Sequence, residues 1–196
     1  MAEITLALIQ QLRERTGIGM MDCKKALTEA DGDIDKAIEL LRKKGALLAE
    51  KRAGQATAEG IVHAYIHPGS QVGVLLEINC ETDFVARTKD MAAFAQDLAM
   101  QIAAFRPTCV QSSEVDPALV EKERAIYREQ LAGKPAQIID QIIEGKLEKY
   151  YTEICLLHQP FIKNDKLTVN DMLKEMIAKM GESIKIKRFV RFEIGA

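Results

Sequence analysis

His63 and His67 stand four positions apart, a spacing at which two imidazoles on one helix face can share a metal ion. They fall in an alternating segment that reads as a strand, where four residues span about 13 Å. One ion cannot take both unless the strand bends, so the pair reads as part of a solvated sheet face. Cys80 beside Glu81, with the two histidines close in sequence, has the makings of a thiol nucleophile and its base. Nothing supplies an oriented third group or an oxyanion site, and a thiol packed at a strand end fits better. Cys23, Cys80, Cys109 and Cys155 are scattered and form no CxxC pair, which reads as reduced thiols in a cytoplasmic protein. There is no glycine-rich phosphate loop, nucleophile elbow or paired-carboxylate arrangement. These residues point away from an enzyme and require neither a metal nor a cofactor.

The stretch Asn79-Cys80-Glu81-Thr82-Asp83-Phe84-Val85-Ala86-Arg87 is harder to explain away. It leaves an apolar strand and enters a helix, and loops between rigid elements are where function concentrates. Phe84 could fold back into the core. An aromatic beside a carboxylate would equally suit a wedge, with the ring in a partner's pocket and Asp83 capping or repelling something next to it. The residues alone leave both open.

The elements that must position this loop are legible from periodicity. Ile4, Leu8, Ile9 and Leu12 recur at helical spacing and stop at Thr16-Gly17, where glycine suits a left-handed cap. Met20, Cys23 and Leu27 share one stripe of a second helix. A third starts at Asp33, carries Ile34, Ala37, Ile38 and Leu41, and is expected to close at Lys43-Lys44-Gly45. Three such helices bury their stripes only against one another, giving a small bundle over residues 1–45. Residues 46–58 read as a linker, although their alanines could extend a helix. A β-hairpin follows, Ile61 to His67 and Val72 to Asn79, about the turn Pro68-Gly69-Ser70.

Beyond the loop, Met91, Phe94, Leu98 and Ile102 predict a helix ending before Pro107, and Asp116-Pro117 starts another. Helices over roughly 135–144 and 146–157 are expected to be separated by Gly145. A capping-box-like Thr168 to Asp171 opens a helix that stops at Gly181. The last strand places Ile184, Ile186, Val190, Phe192 and Ile194 on one face, interrupted by Arg188. Residues 59–196 thus form an antiparallel sheet covered by helices, and the class is α+β.

Composition narrows the function. The 196 residues carry a net charge of −2, so no basic field advertises a phosphate-backbone partner. Trp is absent, which removes the best stacking platform for single strands. No apolar run approaches a membrane span. Direct contact with nucleic acid or membrane is not expected.

Two long segments settle the comparison with known families. Glu14-Arg15-Thr16-Gly17-Ile18-Gly19-Met20-Met21-Asp22-Cys23-Lys24-Lys25-Ala26-Leu27 resembles the N-terminal signature of the bacterial elongation factor Ts family. Asn79 to Ala86 resembles its second signature, and Gln159-Pro160-Phe161 and Arg191-Phe192-Glu193 its later landmarks, in order along the chain. The resemblance implies a bundle of the ubiquitin-associated type at residues 1–45 that binds the GTPase domain of elongation factor Tu. Arg13, Met20, Met21 and Lys24 would touch that domain, although Met20 shares the core stripe and Met21 does not. Thr82, Asp83, Phe84 and Val85 correspond to the family's segment that dislodges Mg²⁺ from the partner. Longer relatives carry a duplicated core, whereas this chain has room for one core unit, which implies a homodimer and a two-plus-two complex with elongation factor Tu. Two rival readings are a ubiquitin-like or nascent-chain binding module and a thiol enzyme using Cys80. The first leaves the long core without a task; the second predicts loss of function in Cys80→Ser.

Overall fold

The structure is a computed structural model that describes residues 4–131 and 135–195. They divide into two compact units, one built from segments 4–60, 79–88 and 171–185, the other from the remainder. Helices and a three-stranded antiparallel sheet make the α+β class plain.

In the first unit, α1 (Leu6–Thr16), α2 (Met20–Glu29) and α3 (Ile34–Arg52) share one core. Leu12, Cys23, Ala26, Leu27 and Ala37 are fully buried there, and Met20 packs at its edge. The starts and stops follow from side-chain chemistry. Thr5 caps α1, and Asp33 accepts from the Asp35 and Lys36 amides at the start of α3. Gly17, at φ 69°, takes the left-handed turn after α1 and donates its amide to Arg13 O at 2.7 Å.

The third helix does not end at Gly45. It runs on to Arg52, so much of the expected linker is helical. The reason for the glycine lies elsewhere in the chain. A Cβ at Gly45 would stand 2.9 Å from Ala178 Cβ, on α8 (Val169–Met180), so the glycine permits a close helix crossing rather than a cap. Arg42 and Glu175 pair at 2.9 Å along the same crossing. Gly45→Ala should therefore destabilise despite alanine's helix preference. Overpacking costs about 1–3 kcal/mol, against a propensity gain of about 0.5–1 kcal/mol. The melting temperature should fall by a few degrees, and adding Ala178→Gly should recover part of the loss. Melting at or above the parent temperature would show that the crossing has slack.

The sheet order is β1 (Glu59–Ile66), β2 (Val72–Cys80), β5 (Ile184–Glu193), and most of each strand belongs to the second unit. The β1–β2 turn closes with His67 N donating to Val72 O at 2.9 Å. Gly69 and Ser70 both have positive φ, as a tight turn of this composition requires. At the other edge Ile194 N donates to Gln71 O, which brings the end of β5 to the start of β2. Val74, Leu76 and Ile78 of β2 point to the buried side. Helix α5 (Lys89–Phe105) lies on that side: His63 Nε2 is 2.8 Å from Gln96 Oε1, and Arg191 donates to Ala103 O.

The opposite face of the sheet is open. Ile66 Cδ1 lies over Gly73, and Glu77 pairs with Arg188 at 2.7 Å, which fixes the residues sharing that face. They include Val62, Ile66, Leu75, Val190 and Phe192, all exposed. The single apolar face expected for β5 is thus split. Ile184 and Ile186 are buried, but Lys187 and Arg188 are both exposed and the alternation shifts by one. Phe189 and Arg191 turn partly inward, leaving Val190, Phe192 and Ile194 outside.

The expected break at Gly145 is absent: α7 runs unbroken from Ala136 to Ile154. It packs against α6 (Pro117–Gln130), which Asp116 and Pro117 open as expected. A short hairpin, β3 (Pro160–Phe161) with β4 (Asn164–Thr168), follows. Gln101 on α5 holds it, donating to Gln159 Oε1 and Pro160 O and accepting from Ile162 N. Gln159 and Phe161 are buried, so the Gln159-Pro160-Phe161 landmark acts in packing.

Candidate functional site

Strand β2 delivers the chain at Cys80, and a four-residue helix, α4 (Asp83–Ala86), begins three residues later. So short a helix has almost no stability of its own. Side chains on either side of it supply the order. Thr82, in extended geometry, caps α4 through its hydroxyl, which accepts from Val85 N. Asp83 is half-buried and pairs with Arg87 one turn on, at 3.0 Å. Val85 and Ala86 are buried, and the thiol of Cys80 donates to Thr82 O at 3.1 Å. Phe84 does not share this burial. Its ring is 82% exposed on the outer side of α4, so it takes no part in the core.

Two carboxylates hold the entry to this turn. Glu182 accepts from Thr82 N at 3.1 Å and from Thr82 Oγ1 at 2.7 Å. Glu81 reciprocates, accepting from Ser183 N at 2.6 Å. Arg52 Nη1 donates to both oxygens of Glu81, each at 2.9 Å. Neighbouring residues of two distant segments thus exchange carboxylate-to-backbone hydrogen bonds, the strong, charge-assisted kind. The Ser183 amide first, then the Arg52 guanidinium, hold the Glu81 carboxyl below its ordinary value. Glu182, Ser183 and Arg52 had no sequence signal. The partners lie far apart along the chain, and a glutamate after a helix stop is unremarkable by itself.

The arrangement does not suit nucleophilic chemistry at Cys80. The thiol is fully buried, and desolvation, followed by the nearby Glu182 charge, pushes its pKa up. Glu81 is committed to Arg52 and Ser183 instead of acting as its base. The histidines also part company: His63 faces Gln96, and His67 Nδ1 lies 2.9 Å from Tyr65 Oη. Among the described residues no group of three or more His, Cys, Asp and Glu is placed to hold a metal ion. Among them, too, no helix is long and apolar enough to cross a membrane.

The other expected contact residues lie on α1 and α2. Arg13, Met21 and Lys24 are exposed, whereas Met20 is half-buried against the bundle core. Met21, Lys24, Lys25, Thr28 and Glu29 line an open depression on α2. Met21 is two-thirds exposed and stands among charged neighbours.

A family model described as "Elongation factor TS" matches residues 10–196. A protein named elongation factor Ts from Carboxydothermus hydrogenoformans is 57% identical over 98% of this chain and 89% of its own length. Its counterpart in Moorella thermoacetica is 56% identical over 98% of the chain and 96% of that protein. The one from Desulfosudis oleivorans is 51% identical over the full length of both.

Proposed function

The chain belongs to the elongation factor Ts family, and from that membership we propose that it is the guanine nucleotide exchange factor of elongation factor Tu. It works in the cytoplasm as a binding protein, without a cofactor or covalent step of its own. Residues 1–45, a bundle of the ubiquitin-associated type, dock on the partner's GTPase domain through Arg13, Met20, Met21 and Lys24, of which Met20 is half-buried against the bundle core. Residues 59–196 carry the exchange loop and the dimer surface, and the C-terminal part of α3 joins the two. Thr82, Asp83, Phe84 and Val85 enter the nucleotide site, and the Phe84 ring helps to dislodge Mg²⁺. Loss of the metal removes the main counter-charge of the diphosphate.

The observation that carries this reading is the presentation of Phe84. An aromatic ring four-fifths exposed on a single turn, above buried Val85 and Ala86 and between two carboxylate anchors, is held rigidly outward where a partner can receive it. The thermodynamics need nothing else. A nucleotide held at nanomolar strength is bound by about −12 kcal/mol and leaves slowly. A protein that binds the empty GTPase better than the loaded one weakens nucleotide by the same free energy by which nucleotide weakens it. GTP then refills the site and expels the factor. Mixing the chain with elongation factor Tu carrying a fluorescent GDP tests the reading. Release should accelerate with concentration and saturate; release at the spontaneous rate would end it.

The open sheet face supports a homodimer. Val62, Ile66, Leu75, Val190 and Phe192 form an apolar surface, within which Glu77 and Arg188 pair with one another at 2.7 Å. A second copy offers the same surface, and a two-fold axis closes the pair. Light scattering at micromolar concentration should report about twice the 21.8 kDa chain mass. Phe192→Asp, which would bury a charge in that contact, should return the single-chain mass with the fold intact. A parent chain that is already monomeric and fully active would overturn the dimer.

A further inference from the structure

Helices α6 and α7 form an antiparallel hairpin with a small core of its own. Leu131, Ile143 and Leu147 are buried between them, with Tyr127 and Tyr151 packed alongside. The chain enters the hairpin after Cys109 and leaves it at Cys155. At this base the two passes pair as a short parallel bridge between those cysteines. Thr108 N donates to Ile154 O at 2.8 Å, and Leu156 N and Leu157 N donate to Cys109 O and Val110 O, each at 3.0 Å. Both cysteines are free, and Cys109 Sγ donates to Cys155 Sγ at 3.4 Å. Neighbouring strands lie about 4.8 Å apart, inside the roughly 4.4–6.8 Å between Cα atoms that a disulfide spans. The sulfurs, 3.4 Å apart, have to close to about 2.05 Å to join.

We infer that Cys109 and Cys155 are a reversible dithiol site, which hydrogen peroxide converts into a disulfide clamping the base of the α6–α7 hairpin. The two sulfurs have different surroundings, and that assigns their roles. Cys109 is partly exposed, whereas Cys155 is fully buried. Burial, then the hydrogen bond and charge of Cys109, push the Cys155 thiol up to about 12, so it stays protonated at neutral pH. Cys109 therefore reacts first. Its thiolate attacks one peroxide oxygen, the O–O bond breaks, and Cys109 becomes a sulfenic acid while hydroxide leaves and takes up a proton as water. Cys155 sulfur then attacks Cys109 sulfur and the S–O bond breaks. The departing hydroxide takes the Cys155 proton and leaves as a second water. The dithiol has lost two electrons and two protons, and the peroxide has become two waters. Cys23 and Cys80 are buried in other surroundings and, among the described residues, have no neighbouring thiol, so they stay reduced.

The bond would close a loop between positions 46 apart, which restrains the open hairpin much more than the closed one. The test treats the folded full-length chain with hydrogen peroxide and reads it by mass spectrometry. The expected product has lost two hydrogens, yields one peptide linking Cys109 to Cys155, and returns to the parent mass with a dithiol reductant. Amide exchange at Leu156 and Leu157 should slow roughly tenfold or more in the oxidised chain. Cys155→Ala should leave Cys109 unresolved, so that it gains oxygen instead of a link. Cys109→Ala should leave Cys155 unmodified at the same peroxide dose. Linking of Cys109 to a second chain, over-oxidation of Cys109 in the parent, or a link that forms only in denaturant would each overturn the assignment.

Discussion

Phe84→Ala should slow stimulated GDP release from elongation factor Tu roughly thirtyfold while leaving the melting temperature almost unchanged. Interface aromatics that fill a partner's pocket cost about 2 kcal/mol or more on truncation, and each 1.4 kcal/mol is a factor of ten. The ring is 82% exposed, so the free protein gains little from it. Truncating an exposed side chain usually shifts stability by no more than about 0.5 kcal/mol. A core phenylalanine would behave in the opposite way, losing about 3–5 kcal/mol of stability. Asp83→Ala should have a smaller effect of the same kind, since it removes the Arg87 pair and the charge beside the ring. Stopped-flow release at saturating factor, measured beside a thermal melt, separates the two. Parental exchange by a folded Phe84→Ala protein would remove the wedge from the mechanism.

Glu182→Ala should reduce the maximal stimulated rate about tenfold although Glu182 is not among the residues expected to meet the partner. The Thr82 amide and hydroxyl both donate to its carboxylate, and hydrogen bonds to charged groups contribute about 1.5–3 kcal/mol. Without them the cap residue of α4 keeps the bonds to its carbonyl oxygen, and the ring above it is held less firmly. The half-saturating concentration should change much less, because the bundle surface at Met21 and Lys24 is untouched. Glu182→Gln, which keeps one acceptor oxygen, should recover part of the rate. An unchanged rate in Glu182→Ala would show that α4 holds its place unaided. Acid reaches the other half of the lock. The Glu81 carboxyl titrates below its ordinary 4.5, so its contribution is complete above that value. It drains away only as pH falls through the lowered one. Exchange should therefore be insensitive to this group near neutrality.

Much of the architecture could be read from local signals. Asp33, Asp116 and Gly17 mark helix ends because each satisfies orphaned backbone groups within a few residues of itself. The β1–β2 turn was equally plain, since proline ahead of glycine has few other uses. The misreadings share one cause, a residue whose reason lies far along the chain. Gly45 resembles a helix stop by its basic neighbours, yet Ala178 is what demands it. Gly145 interrupts nothing, because Ile143 and Leu147 on either side are pinned in the hairpin core. On β5 a count of apolar residues could not foresee that Arg188 would turn outward to Glu77 and shift the strand's phase. At the loop, the residue types left Phe84 open between core and surface. The decision fell to Val85 and Ala86, whose burial turns the neighbouring ring outward.

The bond from Glu182 to Thr82 joins positions 100 apart, and Ser183 closes the other arm across a similar distance. While the chain is being made, residues 1–88 are complete long before residues 182–183 appear. The bundle can form early from its near-neighbour contacts, whereas the loop must wait for the end of synthesis. A nascent chain would then pass through a stage able to dock but not to eject nucleotide. Fragments that stop short of residue 182 should keep that character permanently. If Phe84 works as proposed, only a chain finished through Ser183 would hold it in that position.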